Sequence, residues 1–260
     1  NNYNLADSLG HNSSSRVDFY QEENVRLGSE LVEILLSSNY LVTIFDKEIS
    51  TKFPNISTRG DVRDLRTLTS AMTGHNIVIN LAAQAGVRYS LINPRAYIDS
   101  NLVGFFNIIE NIKKHKIKKF FYASSSSVYG DSKKFPLKEI DEINPRNIYG
   151  LTKKANEEMV EVFFKNTNIN CFGLRFFTVF GEWGRPDMLI FQYLQSIFNY
   201  KKVFYLNNFG NHTRDFTYIQ DVCDVLYRLM YKKLNKHHDI FNICSNKPIK
   251  ITSVLRYIDK

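Results

Sequence analysis

The stretch Lys119-Phe-Phe-Tyr-Ala-Ser-Ser-Ser-Ser-Val-Tyr-Gly130 decides how this chain is read. Its first part, Phe120 to Ala123, is a short apolar run without polar alternation, as expected of a strand buried on both faces. The run passes without a break into four consecutive hydroxyls, Ser124 to Ser127. Turn chemistry alone explains four serines poorly. Strands buried on both faces belong to parallel sheets, which bind ligands beyond the carboxyl ends of their strands. The serines stand at that edge.

Similar apolar runs occur at Leu41 to Phe45, Ile77 to Leu81, Asn170 to Leu174 and Ile240 to Ile243. Amphipathic stretches of helical period alternate with them: Ser29 to Ser38, Ala96 to Lys114, Tyr149 to Lys165 and Asp221 to Lys232. The alternation predicts an α/β fold, a doubly wound parallel sheet of Rossmann type. Residues 181 to 216 carry Gly181, Gly184, Pro186, Gly210 and several aromatics, which predicts a smaller, irregular lobe over one sheet edge.

Composition narrows the class. Of 260 residues, 43% are hydrophobic, enough for one substantial core. The longest apolar runs fall far short of the roughly 20 residues that cross a bilayer. No charged-then-apolar leader opens the chain, so the expectation is a cytoplasmic protein with no membrane partner. Cys171, Cys223 and Cys244 are odd in number and widely spaced, which suits reduced thiols and no metal site. The net charge of +8 and the run Lys113 to Lys119 raise nucleic acid as a partner. Those lysines, however, end a helical segment and precede a strand, where cations suit a helix C-terminus, so no nucleic-acid partner is expected.

Tyr149-Gly-Leu-Thr-Lys153 opens one of the helical stretches and places a phenol and an ammonium on one face. A phenol with a pKa of about 10 is a poor base at neutral pH, but a neighbouring cation favours the phenolate. Tyr149 can then take a hydroxyl proton while hydride leaves the same carbon, with Lys153 placed to hold a cofactor ribose. Alone the pattern is weak, since exposed helices often carry both residues at this spacing. The serine run gives it weight, because a serine there can bridge a substrate hydroxyl and the tyrosine oxygen.

These residues resemble the extended short-chain dehydrogenase/reductase superfamily, in its nucleotide-sugar epimerase and dehydratase branch. Leu174-Arg-Phe-Phe-Thr-Val-Phe-Gly181, Gly184-Arg-Pro-Asp-Met188 and Arg214-Asp-Phe-Thr-Tyr-Ile219, followed by Asp221, match that branch in order and spacing. With Asn80-Leu-Ala-Ala-Gln-Ala-Gly-Val-Arg-Tyr-Ser90 the whole is similar to UDP-glucuronate 4-epimerases, over residues 26 to 255.

The resemblance implies Tyr149 as base, Lys153 as its partner, Ser125 as the hydroxyl-binding serine and Ser127 as a second sugar contact beside Ser126. It implies NAD, held by Gly28, Asp46, Asp61, Val62, Leu81, Ala82, Ala83, Gln84, Asn101, Ser124 and Phe176 together with Tyr149 and Lys153. Asp46 lies 18 positions after Gly28, close to the roughly 20 expected for the acid on an adenosine ribose, and a carboxylate there repels the 2'-phosphate of NADP. Arg88 and Arg214 are implied at the UDP diphosphate. Thr178, Arg185 and Met188 are implied at the sugar, where an arginine fork suits a C6 carboxylate. Dehydratases and the decarboxylase of the superfamily place an acid just before Val-Tyr-Gly. Ser127 stands there instead, which favours simple C4 epimerisation through a 4-keto sugar, while Thr178 and Arg185 favour UDP-glucuronate as the substrate. Other UDP-hexose or UDP-N-acetylhexosamine 4-epimerases, and a non-catalytic member, stay open.

The implied organisation is an NAD-binding domain over 26–175, joined again by 217–245, and a substrate lobe over 176–216 and 246–260. Helices Ala96 to Ile112 and Tyr149 to Phe164 are similar to the pair that forms a homodimer interface in the superfamily. Residues 1–25 depart from the pattern. The first two glycines of a Gly-x-x-Gly-x-x-Gly loop ending at Gly28 fall on Glu22 and Val25, and a glutamate and a branched side chain crowd a pyrophosphate. The preceding Ser15 to Gln21 reads as a poor central strand because Asp18 brings a charge into it. A foreign or frame-disturbed amino terminus, a degenerate relative that binds NAD poorly, and a different phosphate loop all fit. The stop at Lys260 reads as an incomplete substrate lobe.

Overall fold

The computed structural model describes residues 16–21, 27–182, 184, 188–198 and 204–259. Glu22, Val25 and Arg185 lie outside the described residues. Seven parallel strands form the main sheet, in the order β3 (Ser57–Arg59), β2 (Leu41–Asp46), β1 (Arg16–Gln21), β4 (Ile77–Asn80), β5 (Lys119–Ser125), β6 (Asn170–Phe176) and β9 (His238–Ile243). The chain runs outward from β1 to β3, then crosses to β4 on the other side. In doubly wound sheets such a reversal marks the crevice where ligands bind, here beyond the carboxyl ends of β1 and β4.

Both faces are covered. Helices α1 (Leu27–Ser37) and α8 (Ile219–Tyr231) bury Leu31, Leu35, Val222 and Leu226 against Ile44, Ile79, Phe121 and Phe172. On the other face α2 (Leu65–Met72), α5 (Phe105–Lys114) and α6 (Ile148–Phe163) enclose Phe45, Val78, Phe120 and Tyr122. Alternation along β5 thus sends Phe120 and Tyr122 one way and Phe121 the other, where Phe121 stacks on Phe172 with centroids 4.4 Å apart. Two short helices, α3 (Val87–Ile92) and α4 (Pro94–Tyr97), follow β4.

The lobe is more regular than its composition predicts. β7 (Thr178–Phe180), β8 (Thr213–Tyr218) and β10 (Pro248–Lys250) form a three-stranded sheet in the order β10-β8-β7, flanked by α7 (Leu189–Phe198) and α9 (Ile251–Ile258). Two of its strands, β7 and β10, have three residues each, too few to show a period of two. Asp215 ties the turn before β10 by accepting from the amides of Ser245 at 2.8 Å and Lys247 at 3.0 Å.

Two expectations need correction. Ser15 to Gln21 reads as a poor central strand, yet Arg16–Gln21 fills the centre of the sheet, in register with Leu41–Asp46 on one side and Ile77–Asn80 on the other. Ladder partners on both edges satisfy its backbone groups, and that requirement outweighs a pattern read from side chains. Ala96 to Lys114 is not one continuous helix. A π-helical segment, Ile98–Gly104, joins α4 to α5, and its wider turn carries Asn101 toward the loop after β4.

Part of the lysine run has a structural use. The Lys119 ammonium donates to the carbonyls of Met230 and, at 2.9 Å, Lys232, and so closes the end of α8. Among the described residues no helix is long and apolar enough to cross a membrane. No group of three or more His, Cys, Asp or Glu among them could hold a metal ion.

Candidate active site

The carboxyl ends of β2, β4, β5 and β6 bring Asp46, the Leu81–Gln84 loop, the serine run and Phe176 to one edge of the sheet. At β5 the strand ends in Ser125, whose Oγ accepts from the Ser127 amide at 3.1 Å. This bond turns Ser126–Tyr129 into a short 3-10 helix and leaves Ser126 and Ser127 half-buried at the crevice.

Helix α6 starts where Asn147 caps it, its Oδ1 accepting from the Gly150 amide at 2.8 Å. Tyr149 sits in this first turn and Lys153 one turn later. A Cβ on Gly150 would stand 2.7 Å from the Ser127 carbonyl oxygen, so the helix can approach the serine turn this closely only because position 150 lacks a side chain. Lys153 is 2% exposed. Its Nζ lies 5.8 Å from the centroid of the Tyr149 ring.

A second layer of polar contacts fixes this helix against the loop after β4. Asn101 Oδ1 accepts from the Gln84 amide at 2.7 Å, and its Nδ2 donates to the Gln84 carbonyl at 3.1 Å and to Thr152 Oγ1 at 3.0 Å. Thr152 in turn donates to the Tyr149 carbonyl at 2.8 Å. Tyr97 is buried edge-on against Tyr149, centroids 6.2 Å apart, and donates to the Ala85 carbonyl at 2.8 Å. Asn101 is thereby engaged by the loop that precedes Arg88. Arg88 itself is exposed in the first turn of α3.

At the far end of the crevice Asp46 is half-buried, its backbone carbonyl accepting from Gly60 at 2.7 Å and its Oδ1 from the Glu48 amide at 3.1 Å. Asp61 is held by Arg63, at 2.6 Å from Nη2 to Oδ2, and this hydrogen bond keeps its carboxyl below the usual range. Asn107 Nδ2 donates to the Val62 carbonyl at 3.0 Å and fixes the loop beside it. Gly28 is buried at the start of α1, a helix N-terminus at the switch point, where first-turn N–H groups and the helix dipole favour an anion. The donor set fits a dinucleotide: an acid at β2 for ribose hydroxyls, a helix start for phosphate, and a buried ammonium beside Tyr149. The middle of the phosphate loop lies outside the described residues.

The lobe side is less converged. Thr178 opens β7 two residues after Phe176, half-buried and opposite Phe216. Met188 is half-buried just before α7. Arg214 is exposed on β8, its Nη1 donating to the Thr213 carbonyl at 2.9 Å.

Sequence reasoning missed the ion pair beneath the site. Glu157 on α6 and Arg175 on β6 are 5% and 3% exposed and bond each other twice, at 2.9 and 2.8 Å. Ser124 Oγ donates to Glu157 at 2.5 Å. The available signal was an arginine inside an apolar strand, with a glutamate four residues after Lys153 on the same helix face.

The model of the NAD dependent epimerase/dehydratase family matches residues 26–244. An uncharacterized protein of Methanocaldococcus jannaschii is 45% identical over 186 residues, 71% of this chain and 56% of its own length. UDP-glucuronate 4-epimerase 4 of Arabidopsis thaliana is 35% identical over 218 residues, 77% of this chain and 50% of its own length. The chain thus spans about half the length of these curated relatives. Among solved structures, UDP-glucuronic acid 4-epimerase from Bacillus cereus, in complex with UDP-glucuronic acid and NAD, superposes with a TM-score of 0.83 at 29% identity, covering 94% of this chain and 83% of that one.

Proposed function

The chain belongs to the NAD dependent epimerase/dehydratase family, and from that premise we propose that it inverts C4 of a UDP-sugar, converting UDP-glucuronate to UDP-galacturonate. The observation that carries this reading is the meeting of α6 with the serine turn. It joins Tyr149, the buried Lys153 ammonium and the hydroxyls of Ser125 and Ser127 at one sheet edge.

In the proposed reaction Tyr149 takes the C4 hydroxyl proton as C4 loses its hydrogen, holds that proton while the 4-keto sugar turns over, and returns it to the new alcohol. Lys153 keeps the phenol poised as a base and binds the nicotinamide ribose. Ser125 orients the C4 oxygen toward the phenol, with Ser126 and Ser127 along the sugar. NAD, when bound, supplies the acceptor and donor of the two electrons at C4, with no net redox change. Asp46, Asp61 and Val62 hold its adenosine, Gly28 and Leu81–Gln84 its pyrophosphate, with Asn101 bracing that loop, and Ser124 and Phe176 line the nicotinamide end.

Ser127 in place of an acid supports simple epimerisation, since no carboxylate stands there to work at C5 or C6. Thr178 and Met188 line the sugar side and Arg185 meets the C6 carboxylate. Arg88 and Arg214 offset the diphosphate. The likeness to two UDP-glucuronate 4-epimerases supports the acidic sugar. We further assign residues 26–175 and 217–245 to the cofactor domain and the remaining lobe segments to substrate binding. A homodimer forms through α5 and α6, whose Phe106 and Val162 are 45% and 76% exposed. The three free cysteines suit a reducing cytoplasm.

The test is an NMR assay of the purified chain with NAD and, separately, UDP-glucuronate, UDP-glucose and UDP-N-acetylglucosamine. UDP-galacturonate should form, Tyr149→Phe should slow it by about 10²- to 10⁴-fold, and Arg185→Ala should harm the acidic substrate selectively. Turnover of the neutral sugars alone would make the chain another UDP-hexose 4-epimerase, and turnover of none a non-catalytic member.

A further inference from the structure

We propose that Glu157 is a positioning residue for this reaction: gripped by Arg175, its carboxylate sets the serine run at the end of β5 against the helix that carries Tyr149 and Lys153. The inference rests on the epimerase reading above.

Tyr149, Lys153 and Glu157 follow one another along α6 at intervals of four, so that each neighbours the next. The upper two belong to the candidate site. Glu157 lies below them, 5% exposed. A buried carboxylate is costly unless it is paired and its remaining lone pairs are satisfied. Arg175 donates to it from Nε at 2.9 Å and from Nη2 at 2.8 Å, a two-point fork that fixes the carboxylate plane. Ser124 Oγ donates to the same Oε1 at 2.5 Å. One carboxylate therefore joins α6, the carboxyl end of β5 and the end of β6.

The arginine is itself clamped. Its Nη1 donates to Tyr129 Oη at 2.8 Å and to the Glu139 carbonyl at 3.1 Å, and its guanidinium lies 4.7 Å from the centroid of the Tyr129 ring. Tyr129 donates to Asn242 Oδ1 at 2.7 Å. Burial works against the charge on Arg175, but the Glu157 and Tyr129 bonds outweigh it and hold the guanidinium protonated. Both flanks of the serine turn are thus held, Ser124 by Glu157 and Tyr129 by Arg175. Apolar residues could fill this space with no loss of stability, because buried ion pairs repay little more than their desolvation. What a fork and a 2.5 Å hydroxyl bond supply is direction. Ser125 follows Ser124 directly, so its hydroxyl inherits that placement relative to Tyr149.

Two variants separate placement from folding. Ser124→Ala removes the hydroxyl and leaves the ion pair intact. Glu157→Asp keeps the charge but draws the carboxylate back by one methylene. For each, kcat at saturating NAD, KM for UDP-glucuronate, NAD affinity, the melting temperature and a crystal structure are measured; a kcat loss that tracks weakened NAD binding in Ser124→Ala, with Glu157→Asp unchanged, counts against placement. Placement predicts kcat lower by about 10- to 100-fold with KM within about twofold, as for a small misalignment of reacting groups, and a melting temperature near that of the parent for Ser124→Ala. Unchanged kcat in both variants, or loss only in proportion to unfolded protein, would overturn it. If the parent chain turns over no UDP-sugar, the proposed function fails, and the crystal structures decide alone. Ser125 displaced from Tyr149 in Glu157→Asp supports the placement, and Ser125 unmoved refutes it.

Discussion

Tyr149 and Lys153 draw their proposed chemistry from neighbours more than from their own identities. A tyrosine four residues before a lysine is common on helices; what distinguishes this pair is a lysine 2% exposed beside a turn of serines. Near the other end of the same helix, against Glu161, His238 at the start of β9 carries a measurable consequence. It is 4% exposed, with Nε2 2.9 Å from Tyr122 Oη and Nδ1 2.9 Å from Glu161 Oε2. Burial pushes its pKa below the ordinary 6.5, and the Glu161 bond only partly opposes this. In the unfolded chain the imidazole takes its proton at higher pH than in the fold. Its contribution to stability is therefore complete above 6.5 and is lost as pH falls from there toward the depressed folded value. His115 and His212, also lowered by burial, add to the same slope. The histidine contribution to the melting temperature should be level just above 6.5 and fall below it, and His238→Gln should remove part of that fall. An unchanged slope in the variant would contradict the assignment. The paired Glu157 and Arg175 escaped the sequence reading for a plain reason. A charged residue in a helix or strand reads as solvent-facing until its partner on another element is known.

At the scale of elements, β5 and α6 form the working unit, and Gly150 is where they touch. Gly150→Ala puts a methyl 2.7 Å from the Ser127 carbonyl oxygen, a backbone atom with little room to move. The first turn of α6 must then lift from the serine turn. The expected result is a drop in kcat of about 10- to 100-fold, with a loss of roughly 1–3 kcal/mol in urea unfolding. Parental kinetics in the alanine variant would show that the contact is not needed. Strands β2, β4, β5, β6 and β9 were legible within a residue or two at most ends, because both their faces are buried and the apolar runs are continuous. The three-residue strands β3, β7 and β10 were not, since no period can be read from so short a segment. The π-helical turn was invisible as well. Within it Asn101 reaches across to Gln84, a contact between residues 17 positions apart that no local pattern displays.

For the whole molecule, the sheet order β3-β2-β1-β4-β5-β6-β9 places the switch point between β1 and β4, and Asp46, Leu81–Gln84, the serine run and Phe176 lie along the carboxyl edge on either side of it. β1 is central to this arrangement although its side-chain pattern argued against it. Position in a ladder is set by both neighbours, and neither is visible in a segment taken alone. The roles assigned to Thr178 and Arg185 came from motif order, and the lobe geometry adds only that Thr178 follows β6 closely. The most direct test of the central claim is the fate of the C4 hydrogen. UDP-glucuronate bearing deuterium at C4 is incubated with the chain and NAD in ordinary water, and the products are followed by NMR. The account predicts UDP-galacturonate that keeps deuterium at C4, because the hydrogen removed there returns to the same carbon. Loss of the label to solvent, or exchange at C5 without inversion at C4, would contradict it.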